Sequence, residues 1–291
     1  MRLLSSTGAT AAAEWVNTVD LRQYPVEPVL ARVERTFDTR LDRATVVRKR
    51  RTVGAATDRG TWVRIELRRL ARLRAQGWGT EAAADLYGVA RPDWLGGLTW
   101  PADELDARWH ADETSLVAAR PITPAGPLRG APDLPQLWWA SLDDSLTALA
   151  AQPTARIATP DTVPITQARI SEILAGAGLS PAESVVPEWT TAHADLNWAN
   201  LTGPDCCLLD WEDWGRAPRG LDAANLWICS LAVEPLAERV HQLRREDLDS
   251  RSGQLAVLTL CTLRQTGAEG TQADALRRQA ARLRSRLTAD R

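Results

Sequence analysis

The sequence predicts an α+β protein of two lobes, a small β-rich N-terminal lobe and a larger, mainly helical C-terminal lobe. Three observations support this prediction. The 291 residues exceed the length of about 150 residues that is usual for one domain. Strand-like patterns dominate before residue 120, and apolar stripes at helical spacing dominate after it. The segment 120–128 contains three prolines and one glycine, which is typical of a linker. We therefore expect lobes at 1–120 and 121–291.

The N-terminal lobe is predicted to combine a helix with a hairpin. The helix is predicted from the helical spacing of Val29, Leu30, Val33 and Phe37. The strands rest on runs rich in valine, threonine and arginine. In chain order the expected elements are a peripheral helical segment over 1–40, a hairpin of strands 45–53 and 61–67 around the glycine-bounded loop 54–60, a helix over 80–89, and strands over 107–110 and 115–119.

The C-terminal lobe is predicted from apolar stripes that recur every three or four residues. One helix is expected around the stripe Leu134, Trp138, Leu142, Leu146 and Leu149. A second is expected over 165–175, after Pro164 and before two glycines. The last helix is expected near the end of the chain, where the apolar face contains Leu276, Ala280, Leu283 and Leu287.

Several classes of protein are excluded by composition. The longest apolar stretches, 226–233 and 255–263, are shorter than the ~20 residues of a membrane-spanning helix. The first residues lack the apolar core of a signal peptide. The four cysteines show no CxxC spacing, and the adjacent Cys206 and Cys207 lie in an apolar run, which suits reduced, buried thiols. We therefore expect a cytoplasmic protein that has no membrane partner.

Charge is distributed unevenly, although the net charge is only −2. The stretch 43–74 carries 11 basic residues against two acidic ones, whereas 121–230 carries 5 basic and 13 acidic residues. The basic stretch is consistent with a solvated surface or with a site for anions such as nucleotide phosphates. Nucleic acid is the weaker interpretation, because the net charge is negative and no nucleic-acid motif is present.

The segment 191–227 carries the most recognisable chemistry. It contains His193, Asp195 and Asn200 in the spacing H-x-D-x4-N, which is a fairly specific pattern. Turn residues between two apolar runs predict a hairpin that returns Asp210 to face Asn200. An amide oxygen beside a carboxylate suits a hard divalent cation such as Mg²⁺. Asp195, on the preceding loop, can accept the proton of an attacking hydroxyl.

This segment resembles the catalytic core of the aminoglycoside phosphotransferase and choline-kinase-like family, which has a protein-kinase-like fold. The family's H-x-D-x4-N loop matches His193, Asp195 and Asn200, and its strand ending in a metal-binding aspartate matches the run that ends at Asp210. The resemblance implies that Asp195 is the catalytic base, that His193 orders the loop, and that Asn200 and Asp210 hold Mg²⁺. It also implies that Asp222, in the element Leu-Asp-Ala-Ala, braces the loop. Phosphoryl transfer of this kind depends mainly on positioning and charge neutralisation.

Two alternatives stay open around the metal site. Asp213, which a Trp-Gly pair follows, also resembles the family's metal-binding aspartate, although Asp210 is preferred because it ends the apolar run. Glu212 can serve as a nearby supporting carboxylate. Trp198 and Trp214 flank the expected site, where they are either core residues or faces that stack on a substrate ring or cation.

The nucleotide-binding part of the resemblance rests on fewer residues. No GxGxxG or Walker A sequence is present, but the loop from Gly54 to Gly60 can cover phosphates through its backbone N–H groups. The family places a lysine on a strand of the small lobe, and Lys49 is the only lysine of the chain. Arg64, on the following strand, is the alternative phosphate ligand, with Glu81 on the next helix as its ion-pair partner.

The residues and the resemblance together predict a phosphotransferase that uses ATP or GTP with Mg²⁺ and acts on a hydroxyl of a small molecule. The acidic balance of 121–230 favours a cationic acceptor such as an aminoglycoside or an amino-alcohol. Two further hypotheses remain. One is transfer to a Ser or Thr hydroxyl of a peptide in natural-product tailoring. The other is a kinase-like binding module without catalysis, which the scarcity of lysine would explain.

Overall fold

The computed structural model describes residues 19–70, 76–102, 106–124, 128, 130–160, 163–264 and 270–289. The chain divides into two compact units. The N-terminal unit comprises Met1–Ala84 and Pro92–Ala118, and the C-terminal unit comprises Asp85–Arg91 and Ala119–Arg291. The part of the expected peripheral segment before residue 19, and residues 125–127 of the expected linker, lie outside the described residues.

A five-stranded antiparallel sheet forms the centre of the N-terminal unit. Its strands are β1 (Val47–Arg48), β2 (Thr52–Ala56), β3 (Thr61–Arg69), β4 (Trp94–Pro101) and β5 (Ala107–Ser115). Their spatial order is β1-β2-β3-β5-β4. The helical elements described in this unit are α1 (Glu27–Phe37), α2 (Gly79–Ala82) and 3₁₀ turns at Arg43–Thr45 and Ala83–Asp85.

One face of this sheet forms the core of the unit with α1. Side chains along a strand point alternately to opposite faces, so Val63 and Ile65 of β3 share a face with Ala111 of β5. These three residues are buried in one apolar cluster with Leu30 and Val33 of α1. The even-numbered residues of β3 therefore lie on the face that turns away from this core.

The first hairpin differs from its expected boundaries. Gly54 belongs to strand β2, and only residues 57–60 form the connecting turn. Gly54 is paired with Val47 on one side and with Arg64 on the other. A Cβ at this position would lie 2.5 Å from the side chain of Trp62. The glycine therefore permits close packing of an indole on the strand, and its peptide groups face neighbouring strands rather than a phosphate.

The second half of the sheet also departs from expectation. β5 continues to Ser115, whereas the sequence suggested two shorter strands, and β4 was not predicted. Its Gly96-Gly97 pair resembles a turn, yet a Cβ on Gly97 would lie 3.2 Å from the His110 ring. The glycines thus allow a strand to approach a buried ring closely. The helix expected over 80–89 is reduced to α2 and the 3₁₀ turn that follows it.

The C-terminal unit is mainly helical. Its helices are α3 (Gln136–Ala151), α4 (Gln167–Gly176), α5 (Leu221–Ser230), α6 (Glu234–Leu243), α7 (Arg245–Asp249), α8 (Arg251–Arg264) and α9 (Gly270–Ala289). Two small antiparallel sheets pair β6 (Arg120–Pro121) with β8 (Thr202–Gly203), and β7 (Trp189–Ala192) with β9 (Gly215–Pro218). None of the helices within the described ranges combines the length and the apolar character that crossing a membrane requires.

The apolar stripes read from the sequence are the buried faces of these helices. Four residues of the predicted stripe of α3 are confirmed, because Trp138, Leu142, Leu146 and Leu149 are all buried. The fifth, Leu134, precedes the helix and is half-buried. The stripe of α9 is confirmed by the burial of its three leucines. Helix α8 is buried along most of its length and shares one apolar cluster with α5 and α9.

Candidate active site

A short hairpin in the C-terminal unit aligns the two halves of the motif segment. After β7 the chain passes through the loop 193–200, enters β8 and then returns. Leu201 and Leu208 form an antiparallel bridge, and the amide of Leu209 donates to the carbonyl oxygen of Asn200 at 2.9 Å. Because Asp210 directly follows Leu209, it lies at the same end of the hairpin as Asn200.

His193 is buried and uses both ring nitrogens on the backbone. Nε2 lies 2.8 Å from the carbonyl oxygen of Leu209, and Nδ1 accepts the amide of Asp195 at 3.3 Å. Since a carbonyl oxygen only accepts, the tautomer that carries its proton on Nε2 satisfies both contacts. The ring also meets Trp211 edge-on, with ring centroids 4.7 Å apart. His193 therefore ties the loop to the returning strand.

The carboxylate of Asp195 is oriented by two asparagines. Nδ2 of Asn200 donates to Oδ2 of Asp195 at 2.9 Å and to its carbonyl oxygen at 2.8 Å. Nδ2 of Asn197 donates to Oδ1 at 3.2 Å and to the same carbonyl at 3.0 Å. Oδ1 of Asn197 accepts the amide of Ala199 at 2.9 Å, which closes a compact turn. Asp195 is half-buried, so its carboxylate is both held and accessible.

Asp222, near the start of α5, fixes the beginning of the loop. Its Oδ2 accepts the amide of His193 at 2.7 Å, and its Oδ1 accepts the amide of Ala194 at 2.8 Å. Ala194 has a φ of 71°, a left-handed conformation that costs a non-glycine residue about 1–3 kcal/mol. The two hydrogen bonds offset this strain. Burial raises the pKa of Asp222, while the hydrogen bonds from the amides of His193 and Ala194 favour the carboxylate.

The two candidate metal-binding aspartates lie in different environments. Asp210 follows the end of the hairpin and has a φ of 69°. Asp213 is 3% exposed, its Oδ1 accepts the hydroxyl of Thr159 at 2.9 Å, and its carbonyl oxygen accepts the Thr159 amide at 2.9 Å. Asp213 is thereby tied to the chain that precedes α4. Asp210 directly follows Leu209, whose amide is bonded to the carbonyl oxygen of Asn200.

The donor atoms at this end of the hairpin suit a hard cation. Asn200 directs its amide nitrogen to Asp195, so its side-chain oxygen is the atom able to bind a cation. A carboxylate oxygen of Asp210 would be a second ligand of the same kind, and Mg²⁺ commonly uses one or two such oxygens beside water and phosphate. Within the described ranges, no group of three or more His, Cys, Asp or Glu side chains is arranged to hold a metal. The site thus offers an amide and a carboxylate instead of a closed cage.

The predicted nucleotide ligands all lie in the N-terminal unit. Lys49 is exposed in the turn between β1 and β2. Arg64 lies in β3 on the face away from the core, with Nη1 3.5 Å from Oε2 of Glu66. Glu81 is exposed on α2, so the carboxylate that meets Arg64 is Glu66 and not the expected Glu81. Gly60 occupies the β2–β3 turn, where its φ of 73° favours glycine.

Trp198 and Trp214 are core residues. They are 2% and 5% exposed. Nε1 of Trp198 donates to Oγ of Ser230 at 3.0 Å, and its ring stacks on Trp138 with centroids 6.1 Å apart. Trp214 packs against the guanidinium of Arg156 at 5.1 Å. Core packing, the first of the two interpretations given above, accounts for both indoles.

Two residues of the site escaped the sequence analysis. Asn197 follows Asp195 by two positions in a polar loop, a pattern typical of side-chain-capped turns, so the sequence carried a signal for it. Thr159 lies 54 positions from Asp213, and no local pattern links the two. The contact between them is a product of tertiary structure.

Small-molecule phosphotransferases are among the solved structures that share this fold. The aminoglycoside phosphotransferase APH(4)-Ia matches with a TM-score of 0.57 and 12% identity, over 90% of this chain and 96% of that chain. Amicoumacin kinase hAmiN, in complex with AMP-PNP, Ca²⁺ and Ami, matches with a TM-score of 0.53 and 11% identity, over 91% and 95% of the two chains. APH(2")-IIia, in a complex with GDP and kanamycin, matches with a TM-score of 0.50 and 14% identity, over 84% and 91%.

No protein-family model matches the sequence, and comparison with curated proteins finds no sequence relative. The structural matches confirm the protein-kinase-like α+β fold predicted from the sequence, in the form found in aminoglycoside phosphotransferases.

Proposed function

We propose that this chain is a nucleotide-dependent phosphotransferase that transfers a phosphoryl group to a hydroxyl of a small molecule. The observation that carries the proposal is the carboxylate of Asp195, which Asn197 and Asn200 orient in a loop fixed by His193 and Asp222. The shared fold of an aminoglycoside phosphotransferase and of amicoumacin kinase supports it.

Asp195 acts as the general base. Its carboxylate accepts the proton of the acceptor hydroxyl, and the hydroxyl oxygen forms a bond to the γ-phosphorus. The bond from that phosphorus to its bridging oxygen breaks, and the nucleoside diphosphate leaves with the electron pair. His193 does not compete for the proton, because both of its ring nitrogens are engaged with the backbone.

Asn200 and Asp210 are the residues that would hold Mg²⁺, whose charge would neutralise the phosphate oxygens. Asn200 would have two tasks in this arrangement, since its amide nitrogen orients Asp195 and its oxygen would bind the cation. Asp213, bonded to Thr159, serves as a structural brace. We expect Asp210→Asn to weaken Mg²⁺ binding far more than Asp213→Asn does.

The nucleotide is ATP or GTP, and its phosphates are bound by Arg64 in preference to Lys49. Arg64 is placed on a long strand inside the sheet, and its guanidinium lies near Glu66. Lys49 is exposed in the turn between β1 and β2. Arg64→Met should therefore raise the nucleotide dissociation constant more than Lys49→Met, as measured by isothermal titration with Mg-ATP and Mg-GTP.

The acceptor is a cationic small molecule with a free hydroxyl. The excess of carboxylates in 121–230 creates a negative potential that attracts such molecules. The test is a panel of aminoglycosides, amino-alcohols and Ser- or Thr-containing peptides, each incubated with Mg-ATP or Mg-GTP. Mass spectrometry then detects the added phosphate. Transfer to a peptide alone would support a tailoring kinase in place of the proposed acceptor class.

Asp195→Ala should abolish transfer while Mg-nucleotide binding persists. Asp205→Ala is the matched control, because Asp205 is an exposed carboxylate at the tip of the same hairpin and its loss should leave turnover unchanged. Transfer that survives in the Asp195 variant would overturn the assignment of the base.

A kinase-like binding module is the second candidate, and the exposed position of the only lysine favours it. Such a module would bind its small-molecule ligand without nucleotide. The two are separated by thermal unfolding with millimolar Mg-ATP or Mg-GTP, where a phosphotransferase is stabilised and a module that has lost its nucleotide is not.

A further inference from the structure

The five-stranded sheet of the N-terminal unit has two edge strands of different character. The strand order places β1 at one edge and β4 at the other. β1 consists of Val47 and Arg48, and Lys49 follows it; a short, cationic edge discourages pairing with another chain. β4 extends over the eight residues Trp94–Pro101, and none of them is charged. Among the strands that the structure describes, only β5 pairs with β4, so the outer side of β4 is an open sheet edge.

The hydrogen-bond pattern determines which peptide groups of β4 point outward. The amide of Ala102 donates to the carbonyl oxygen of Ala107 at 3.1 Å, and bonded pairs recur at every second residue of an antiparallel ladder. The even-numbered residues from 96 to 100 therefore bond to β5, whose partners the register defines. The N–H and C=O groups of Gly97 and Thr99 point the other way, and both residues are exposed.

The two ends of β4 limit how much of this edge can pair. The register shifts between Trp94 and Gly96, which marks a bulge where the ladder is locally disrupted. At the other end Pro101 has no N–H to donate. The regular, open stretch is therefore short. It is centred on Leu98, with one outward-pointing residue on each side.

Antiparallel pairing of this stretch with itself satisfies the outward N–H and C=O groups of both residues. When a two-fold axis passes beside Leu98, Gly97 of one copy lies opposite Thr99 of the other, and each such pair exchanges two hydrogen bonds. Leu98 then faces the Leu98 of the second copy in a non-hydrogen-bonded position, where side chains approach most closely. Leu98 is half-buried and packs against the core under the sheet. Contact between the two leucines therefore extends this apolar core across the axis.

We propose that β4 is a docking site for a second copy of this chain, which joins the two five-stranded sheets into one continuous antiparallel sheet. A second copy is the fitting occupant because small residues fall opposite larger ones. Gly96 faces Trp100 of the other copy, and Gly97 faces Thr99. No like charges meet across the axis, since β4 carries none. The inference is independent of the proposed function.

Sedimentation equilibrium of the full chain measures the association. Four hydrogen bonds and one pair of leucines form a small interface, so the dissociation constant should be on the order of 100 µM. The average mass should rise from that of a monomer toward that of a dimer between about 5 µM and about 500 µM. A monomer throughout this range would overturn the proposal.

Thr99→Pro removes the amide donor at which the pairing depends on the backbone. Proline is tolerated on an edge strand when its N–H side faces outward, so the bonds from β4 to β5 remain. Two of the four interchain bonds are lost, and the dissociation constant should rise by about tenfold or more. Thr99→Val is the matched control, because it keeps the amide and removes the hydroxyl that lies 2.8 Å from Nδ1 of His110. It should associate as the wild type does. Unweakened association of a folded Thr99→Pro chain would refute the pairing.

Cysteine cross-linking tests the register of the pairing without the proline variant. In Leu98→Cys the two new thiols face each other across the axis at a distance that a disulfide can bridge, so mild oxidation should give a covalent dimer. Leu95→Cys is the control, since Leu95 is 54% exposed on the same strand but lies away from the axis. Mass spectrometry of the cross-linked peptides distinguishes the new thiols from the four native cysteines. Absence of the Leu98→Cys cross-link where the wild type is dimeric, or cross-linking of Leu95→Cys in its place, would overturn the proposal.

Discussion

Replacing Gly253 with alanine is expected to destabilise the C-terminal unit, although alanine is the better helix former. Gly253 lies in the first turn of α8, next to α7. A Cβ at this position would lie 1.9 Å from the carbonyl oxygen of Asp247 and 2.9 Å from its carbonyl carbon. Real Cβ atoms essentially never approach other heavy atoms closer than 3.0 Å. The clash is with backbone, so one of the two helices has to move.

The size of the effect follows from two opposing contributions. In an open helix, glycine to alanine stabilises by about 1 kcal/mol. Forcing a methyl group into a close-packed region costs about 1–3 kcal/mol, and a backbone neighbour, which cannot rotate away, places Gly253 at the upper end. The free energy of unfolding should therefore fall by about 2 kcal/mol. For a unit of this size, that change lowers the melting temperature by about 4–8 °C.

Urea and thermal unfolding of the wild type and two variants, followed by circular dichroism, test this expectation. Gly176→Ala is the matched control, because Gly176 also lies in a helix but an added Cβ would meet no heavy atom within 4 Å. It should leave stability unchanged or raise it by up to about 1 kcal/mol. If Gly253→Ala shifts the urea midpoint upward as Gly176→Ala does, the close approach of α7 and α8 is refuted.

Three further predictions follow from individual contacts. Trp138→Phe removes the 2.7 Å hydrogen bond from Nε1 to the buried carbonyl oxygen of Thr202. The free energy of unfolding measured in urea should therefore fall by about 1–3 kcal/mol. An unchanged urea midpoint would contradict the bond. The Arg43 guanidinium lowers the pKa of Glu34, so the ion pair stabilises the fold above about pH 4.5 and this stabilisation is lost as the pH falls. In Glu34→Gln, the free energy of unfolding measured in urea should therefore fall less steeply between neutral and acid pH. An unchanged pH dependence would count against the pair. Burial raises the pKa of the Cys206 thiol to about 12. Mass spectrometry should therefore find slow alkylation of Cys206 by iodoacetamide up to about pH 9 in the folded protein and fast alkylation in urea. Fast labelling of the folded protein would contradict the burial.

The helical unit was easier to predict than the sheet for a physical reason. An apolar stripe at i, i+3 and i+4 is a local property of the sequence, and burying it requires only that some partner exists. The stripe that includes Leu142 and Leu146 was found in this way. In the sheet, Gly54 and Gly97 lie inside strands because aromatic rings of other strands pack on them. The sequence shows two glycines that suggest turns, and only the tertiary structure supplies the rings.

In the candidate site, too, the local sequence motif was predictable and the long-range contacts were not. His193, Asp195 and Asn200 lie within eight residues, and their spacing was recognisable because the loop that joins them is short. Hydrogen bonds between residues far apart in the chain could not be predicted from the sequence in this way. Asp222 was expected to brace the loop only through the family resemblance. The pairing of Arg64 with Glu66 on its own strand, in place of Glu81 on the next helix, is visible only in the tertiary structure.

The backbone of Leu209 is the reason why we expect Asp210, rather than Asp213, to be the metal ligand. Its amide donates to the carbonyl oxygen of Asn200 and its carbonyl oxygen accepts Nε2 of His193, so both peptide groups of this residue are fixed by the loop. The chain can leave the hairpin only after this residue, and it does so at Asp210, whose φ of 69° turns the backbone sharply. A left-handed aspartate is costly to maintain, and the two hydrogen bonds of Leu209 maintain it. Asp213 is instead tied to Thr159, whose hydroxyl donates to its Oδ1. The left-handed backbone at Asp210 therefore directly follows the residue that is bonded to Asn200, which supports the choice of Asp210 as the proposed ligand.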